Sequence, residues 1–230
     1  MIKLKKLPLL LLLFGTALQA QSFSYPKLKP NAADLQDFIP QGWTLKDSTS
    51  GDLDHDALND LAFVLEFKDT LSETRPDATI LKGSHPRMLA AAVKTEKGYK
   101  LAIQDNTFIL REGEGGMVAD PYDKLKISRK GTLSVNFEFV RGYAQYRFHL
   151  LPEGLCITGA TSSNALPESG VDKWDFNFLS GKVEHVWKKS NNGKKITKAE
   201  TWNRYRLKKP KPIAALGMPF QWEIMKDIFL

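Results

Sequence analysis

Alternation of apolar and polar residues dominates the chain from Trp43 onwards. It is clearest over residues 132–140, where every second side chain is apolar. A period of two is typical of a strand that buries one face, so the pattern predicts a β-strand there. Weaker versions of the same pattern predict further strands at 61–67, 87–94, 98–104, 106–111, 123–129, 143–150, 154–159, 174–179, 182–189 and 194–203. Short polar turns separate these segments at spacings near ten residues, which favours an antiparallel meander.

Helical patterns are few and short. Residues 32–39 are predicted to form two helical turns, with Asn31 as the N-cap and Pro40 as the stop. A second short helix is predicted at 220–229, and residues 68–86 are predicted to be an irregular surface loop. The predicted fold class is therefore all-β with minor α: an antiparallel meander arranged as a β-sandwich or as an incomplete propeller-like stack. No linker divides residues 32–230, which we expect to form a single domain.

The first twenty residues have the pattern of a secretory signal peptide. Three lysines precede an apolar run over residues 7–14, and small residues lead up to a plausible cleavage point after Ala20. We therefore expect an exported protein, periplasmic or extracellular, whose mature chain begins with an arm over residues 21–31. No cysteine lies near Ala20, so no lipid anchor is expected, and no other stretch is long and apolar enough to span a membrane.

The charge is distributed unevenly along the chain. The whole chain has a formal net charge of +7, but residues 1–20 contribute three lysines and no acid, which leaves +4 for the remainder. Residues 181–212 alone carry eleven Lys and Arg against two acids. The rest of the mature chain is therefore mildly acidic. Because an exported protein meets little nucleic acid, we do not expect nucleic acid as a partner.

The strongest chemical pattern is an acidic loop at residues 51–60. Residues 51–63 read GDLDHDALNDLAF, with four carboxylates in nine positions. Such crowding is unfavourable without a counter-ion, and calcium accepts six to eight oxygen ligands in flexible geometry. The spacing predicts a calcium site with four side-chain ligands and one carbonyl ligand: Asp52, Asp54, Asp56, Asp60 and the carbonyl of Leu58. An EF-hand is disfavoured because position 12 is Phe63 rather than glutamate, and because a strand follows.

An Asp-x-Asp-x-Asp-x-x-x-Asp loop that leads directly into an apolar strand resembles the calcium loop of FG-GAP/VCBS repeats, the blades of integrin-α-type propellers. By that resemblance the five residues named above would be the metal ligands. The run Phe-Ile-Pro-Gln-Gly-Trp at 38–43 and, less closely, residues 177–182 resemble a group of secreted bacterial proteins of unassigned activity that carry one such loop. The loop departs from the pattern at Ala57, where glycine is usual, and at His55.

The basic segment at 181–212 is a second candidate site. Asn191-Asn192-Gly193 predicts a hairpin turn, with lysines at its tip and aromatic residues along its arms. Such a surface could grip an anionic polymer through Trp187, Lys188, Lys189, Lys194, Lys195 and Trp202. The alternative is a solvated hairpin whose lysines discourage edge-to-edge pairing while its aromatic residues enter the core.

Catalytic patterns are weak. The four histidines are far apart, and the lone Cys156 follows an apolar residue and reads as a buried small side chain, although a Cys156–His149 nucleophile pair across a hairpin is conceivable. The sequence therefore favours a non-catalytic binding or scaffold role in the cell envelope, with structural calcium. An envelope-polymer or glycan hydrolase and an anionic-polymer binder are the alternatives. The partner is expected to be an envelope component or another protein.

Overall fold

The protein is all-β and its sheets are antiparallel. The computed structural model describes residues 23–230 apart from 168–169, 192–193, 204, 206 and 208. Its sixteen strands are β1 Asn31–Ala32, β2 Trp43–Gly51, β3 Asp60–Phe67, β4 Leu71–Thr74, β5 Ile80–Ser84, β6 Arg87–Thr95, β7 Gly98–Asp105, β8 Tyr122–Ile127, β9 Leu133–Phe139, β10 Gly142–Leu151, β11 Gly154–Leu166, β12 Gly170–Asn177, β13 Lys182–Asn191, β14 Lys194–Asn203, β15 Glu223–Met225 and β16 Ile228–Phe229. Two single 3₁₀ turns, Gln36–Phe38 and Ile213–Ala215, are the helical segments among the described residues.

The larger sheet is a seven-stranded meander. Its strands lie in the order β14-β13-β12-β11-β10-β9-β8, so each strand pairs with its neighbour in sequence. Side chains in a strand point alternately to the two faces of the sheet, and the burial of β9 shows this alternation. Its residues at 133, 135 and 137 have no exposed surface, while those between them are partly exposed. The predicted antiparallel meander is confirmed.

The smaller sheet has five strands in the order β1-β7-β6-β3-β2. Strands β3 and β6 read as nearly continuous apolar runs, LAFVLEF and MLAAAV. A strand covered on both faces is expected to lose the alternation, and both strands are buried through most of their length. Two small hairpins complete the fold, β4 with β5 and β15 with β16.

The main core lies between the two large sheets. One face of β3 and β6 packs against the meander, and the C-terminal segment covers the rest of that meander face. The core includes Ala62, Val64, Leu89 and Ala91 from the small sheet, Val135, Phe137, Tyr146, Phe148, Ile157 and Phe176 from the meander, and Ile213, Leu216, Met218 and Leu230 from the C-terminal segment. The two sheets and the C-terminal segment share this core, and the single domain over residues 32–230 stays a prediction.

The arm covers a second core on the outer face of the small sheet. Leu28 is buried there beside the buried Trp43, and the Phe23 ring lies 5.2 Å from the Phe67 ring. The Tyr25 hydroxyl donates to Glu73 and accepts a hydrogen bond from Arg111, and burial raises the pKa of Tyr25 to about 12. The arm is thus part of the packed structure.

The helix predicted at 32–39 is wrong except for one 3₁₀ turn. Residues Asn31 and Ala32 pair with β7 instead of starting a helix. Asp34 lies just before the N-cap residue Leu35, and its Oδ1 accepts hydrogen bonds from the backbone amides of Gln36 and Asp37. These bonds start the turn at Gln36, several residues after the predicted helix start.

Three other local predictions are also wrong. Residues 220–229 contain the β15–β16 hairpin instead of a helix, and residues 68–86 contain the β4–β5 hairpin instead of an irregular loop. The segment 106–111 forms no strand, because Asp105 Oδ1 accepts hydrogen bonds from the amides of Thr107 and Phe108 and so turns the chain away from β7. Side-chain hydrogen bonds to the backbone compete in this way with ladder pairing.

Two predictions fall outside the described residues. The signal peptide at 1–20 lies there, and so does the Asn192-Gly193 turn of the basic hairpin. Within the part of the chain that is described, no helix has the length and apolar character needed to cross a membrane.

Candidate functional site

The acidic loop connects β2 to β3 at one end of the small sheet. Its strongest anchor is Asp60, which has no exposed surface and whose two oxygens accept backbone hydrogen bonds from Leu53 and Lys94, each at 2.7 Å. Asp52 accepts from the amides of His55 at 2.6 Å and Ala57 at 3.0 Å. These bonds curl the backbone around its own carboxylates.

Three of the predicted ligands converge. One carboxylate oxygen from each of Asp52, Asp54 and Asp60 lies within 4.8 Å of the other two. Calcium binds oxygens at about 2.3–2.6 Å, so ligands on one ion can be up to about 5 Å apart, and this set fits a hard cation. Burial, together with the nearby charges of Asp60 and Asp56, raises the pKa of Asp54, as expected for a carboxylate that shares its site with other acids.

Asp56 and Leu58 are placed differently from those three residues. Asp56 Oδ1 accepts the backbone N–H of Leu58 at 2.8 Å, and this bond closes the far side of the loop. Asp56 is not one of the three carboxylates that converge. A ligand role for Asp56 and for the carbonyl of Leu58 stays a prediction.

The loop backbone is left-handed at its sixth position, Ala57, where the pattern usually has glycine. Ala57 has a φ of 69° and His55 a φ of 67°, both in the region that favours glycine. Ala57 therefore adopts the conformation in spite of its Cβ, at a cost on the order of 1 kcal/mol.

The acidic loop also contacts the meander, a contact that no pattern in the loop sequence predicts. Gly131 of the β8–β9 turn lies so close that a Cβ there would be 2.7 Å from His55 Cε1 and 3.0 Å from the carbonyl oxygen of Asp52. Leu53 is buried in the core between the sheets. His149 of β10 bonds Thr132 at 3.0 Å, and burial and the nearby His55 lower the pKa of His149. The loop thus stands where the two sheets meet.

The basic hairpin forms as predicted in its paired strands, and its aromatic residues share a face. Trp187 of β13 and Trp202 of β14 lie on the meander face that also carries the core, while Lys188 lies on the opposite face because side chains alternate. The side chains of Lys189, Lys194 and Lys195 lie outside the described part of the chain. Binding of an anionic polymer here stays a prediction.

An aromatic stack that was not predicted lies beside Trp187. The rings of Trp174 and His185 are stacked with centroids 3.8 Å apart, and Trp202 stacks on Trp174 at 5.7 Å. His185 Nε2 donates to Asp172 Oδ1 at 2.6 Å. The segments DKWDF and VEHVW each alternate polar and aromatic residues, which is the one sequence sign of this stack. Trp174 and His185 become neighbours only because β12 pairs with β13.

Buried arginines organise the opposite end of the small sheet. The Arg87 side chain has no exposed surface and donates to Glu66 and to both oxygens of Asp120 at 2.7–2.8 Å. Burial alone would raise the pKa of Asp120, but Arg87 and Lys46 outweigh it and lower that pKa. A buried cation of this kind is stable only with such partners, so the network fixes how residues 111–121 pack on the sheet.

The Cys156–His149 pair has little support as a nucleophile. The two residues are directly opposite in the β10–β11 ladder. Cys156, however, has no exposed surface, and burial raises the pKa of its thiol, with a smaller contribution from Glu153. A thiol in that setting stays protonated and inert.

No family model matches the chain, and no significant match was found among curated proteins or solved structures.

Proposed function

We propose that this is an exported binding or scaffold protein of the cell envelope whose fold is stabilised by calcium in the acidic loop. The observation that carries the proposal is the convergence of Asp52, Asp54 and Asp60 on one point of a curled backbone. A left-handed turn at Ala57 and amide bonds to every one of these carboxylates hold the loop in that shape. The donor atoms are all oxygens, as calcium prefers.

The position of the site supports a structural role for the ion. Asp60 is buried and bonded to the amides of two segments, and the loop contacts the β8–β9 turn of the other sheet through His55. A calcium ion here would offset two of the three negative charges of these carboxylates at the place where the sheets meet. Because it would bind the folded chain better than the unfolded one, it would raise stability.

Thermal unfolding with calcium and then with a chelator tests this proposal. At about 100 times its dissociation constant, an ion that binds only the folded state adds about 2.7 kcal/mol, which corresponds to a Tm increase of about 5–10 °C for a chain of this size. Asp54→Asn should remove most of this increase while the protein still folds, because Asp54 is the exposed member of the three.

Asp123→Asn is the matched control, since Asp123 pairs only with the exposed Lys124 among the described residues. Its response to calcium should equal that of the unmodified protein. A Tm that does not change with calcium, or that changes equally in Asp54→Asn, would rule out the proposed site.

A further inference from the structure

One long edge of the two large sheets has no neighbouring strand among the described residues. Strand β14 lies at the end of the meander, and β13 is its one ladder partner in the described chain. An edge strand presents a row of backbone N–H and C=O groups that point away from the sheet. In β14 this row extends over Lys194–Asn203, which is long enough to pair with another extended chain.

The other edges are covered by the protein itself. Strand β8, at the opposite end of the meander, lies beside β2, and the amides of Leu125 and Ile127 donate to Asp47 and Thr49 of that strand. Strand β7 pairs with β1, and its Gln104 side chain bonds to the arm beyond that ladder. The fold therefore leaves β14 as its open edge within the described chain.

Side-chain exposure along β14 indicates that the edge is accessible. The side chains of residues 197–201 are all exposed. In a strand that is covered on one face, buried side chains alternate with more exposed ones, as they do in β9. Five exposed side chains in succession mean that neither face of β14 is covered along this stretch, so both faces leave room for an added strand.

The charge of the hairpin selects the kind of strand that can pair there. Strands β13 and β14 together contain six lysines and two glutamates, a formal charge of +4. Two copies of β14 side by side would bring these like charges together, and lysines on an edge are a common protection against such pairing. For a strand rich in Asp and Glu the same lysines are favourable, because opposite charges on neighbouring strands attract.

We propose that β14 binds an acidic, extended segment of a partner protein, which adds to the meander as a further strand. Hydrogen bonds from the open backbone edge hold the segment, and the lysines of the hairpin select it by charge. A polyanion without a peptide backbone has the charge but cannot continue the ladder. The proposal rests on the binding role proposed above and names its class of partner.

Titration calorimetry with the full mature chain and a designed peptide tests the proposal. The probe is a peptide of the length of β14 in which glutamate and valine alternate, with both ends blocked; we call it the Glu-Val peptide. We expect it to bind with a Kd of about 1–100 µM. Binding should weaken as NaCl is raised, because the charges of the hairpin and of the peptide are screened.

Three control probes separate ladder pairing from simple charge attraction. The first is the Glu-Val peptide methylated at every backbone nitrogen, which keeps the charge but has no N–H to donate. The second has lysine in place of glutamate, and the third is polyphosphate. Each should bind at least about tenfold more weakly than the Glu-Val peptide, since each lacks either the acidic charge or the backbone donors.

Charge variants then assign the binding to the hairpin. Lys198→Glu should weaken binding of the Glu-Val peptide severalfold, because the exposed Lys198 lies near the middle of the open edge. Lys97→Glu is the matched control, as it makes the same change of charge at an exposed lysine between β6 and β7 of the small sheet. It should change the Kd by less than about twofold, since distant charges are screened.

Hydrogen exchange locates the bound peptide on the fold. An antiparallel ladder uses alternate residues of a strand for each of its two neighbours. The Glu-Val peptide should therefore slow exchange at alternate amides of β14, those that do not bond to β13, by at least about tenfold. The amides of β8, at the covered edge, should not respond.

Three results would overturn the proposal. The first is no heat of binding with the Glu-Val peptide at about 1 mM. The second is binding of the methylated peptide or of polyphosphate as tightly as the Glu-Val peptide, which identifies a general polyanion site instead. The third is equal effects of Lys198→Glu and Lys97→Glu, with no slowing of exchange in β14. The effect of calcium on the Tm is measured without any peptide, so failure of the edge is distinguishable from failure of the calcium site.

Discussion

At the scale of single residues, Ala57 shows how the acidic loop keeps its shape without the usual glycine. Its φ of 69° is held by the bond from its amide to Asp52 and by the neighbouring turn at His55. The strain lies in the backbone of Ala57, so a substitution there can relieve it without changing any of the carboxylates. Glycine is the one residue that occupies this conformation freely.

Ala57→Gly should therefore stabilise the protein by up to about 0.6 kcal/mol, the relief of about 1 kcal/mol of left-handed strain less the extra entropy of glycine in the unfolded chain. Urea denaturation in saturating calcium measures the gain. Ala78→Gly is the matched control: Ala78 has a φ of 66° in the β4–β5 turn, far from the acidic loop in sequence, and should gain a similar amount. Loss of stability in Ala57→Gly would mean that the methyl group makes packing contacts that outweigh its strain.

Single residues also show what could be predicted about the site from the sequence. The spacing of the carboxylates was enough to place Asp52, Asp54 and Asp60 together, because a short loop confines them. Contacts made across the fold, such as Gly131 against His55 or Asp172 with His185, depend on which strands become neighbours. No local pattern carries that information.

At the scale of elements, the meander was predictable because its strands alternate and each pairs with the next. Long strands such as β9 and β10 were predicted to within one or two residues. Elements that depend on tertiary contacts could not be predicted in this way. The β4–β5 hairpin is held by Arg75, which is buried and bonded to Glu114 at 2.7 Å, and a polar sequence such as SETRPDAT gives no hint of that burial.

The Arg87 network joins elements of the small sheet and is sensitive to acid. The pKa of Asp120 is lowered in the folded protein, so its stabilising effect is complete above the ordinary pKa of about 4 and is lost as the pH falls through the lowered value. Asp120→Asn should cost about 2 kcal/mol at pH 7, less than for a fully buried pair because Asp120 is partly exposed and Glu66 remains.

Chemical denaturation at pH 7 and near pH 3 checks this prediction. The difference between the unmodified protein and Asp120→Asn should shrink at the lower pH, because the unfolded chain binds a proton at Asp120 near its ordinary pKa and the folded chain binds it only at lower pH. Asp123→Asn, which breaks an exposed pair, should cost less than about 0.5 kcal/mol at either pH. Equal losses in the two variants would contradict a structural role for the network.

At the scale of the whole molecule, the acidic loop is one of several polar contacts between the two sheets, beside the hydrogen bonds that Tyr122 and Leu125 of β8 donate to Asp47 of β2. Hydrogen exchange should therefore show that calcium protects the amides of the β8–β9 turn, residues 128–132, as well as those of the loop. Strands β13 and β14, at the far side of the meander, should not respond. Protection confined to the loop would show that the sheets are not coupled through it.

Gly131→Ala should weaken this coupling, because its Cβ would overlap the ring of His55. Gly116→Ala is the control, as Gly116 has a similar φ of 65° with no described atom within 4 Å of the added Cβ. Both variants carry the backbone strain, and only Gly131→Ala should also reduce calcium-dependent protection of the turn.

The pairing of β1 with β7 has a consequence for the order in which the chain folds. The meander needs only neighbours in sequence, and contacts between near neighbours form fastest. The β1–β7 ladder joins Asn31 to Lys100, and closing so long a segment is slower unless β3, β6 and β7 are already paired. We therefore expect the N-terminal arm to form its native contacts last, although it is synthesised before the rest of the described chain.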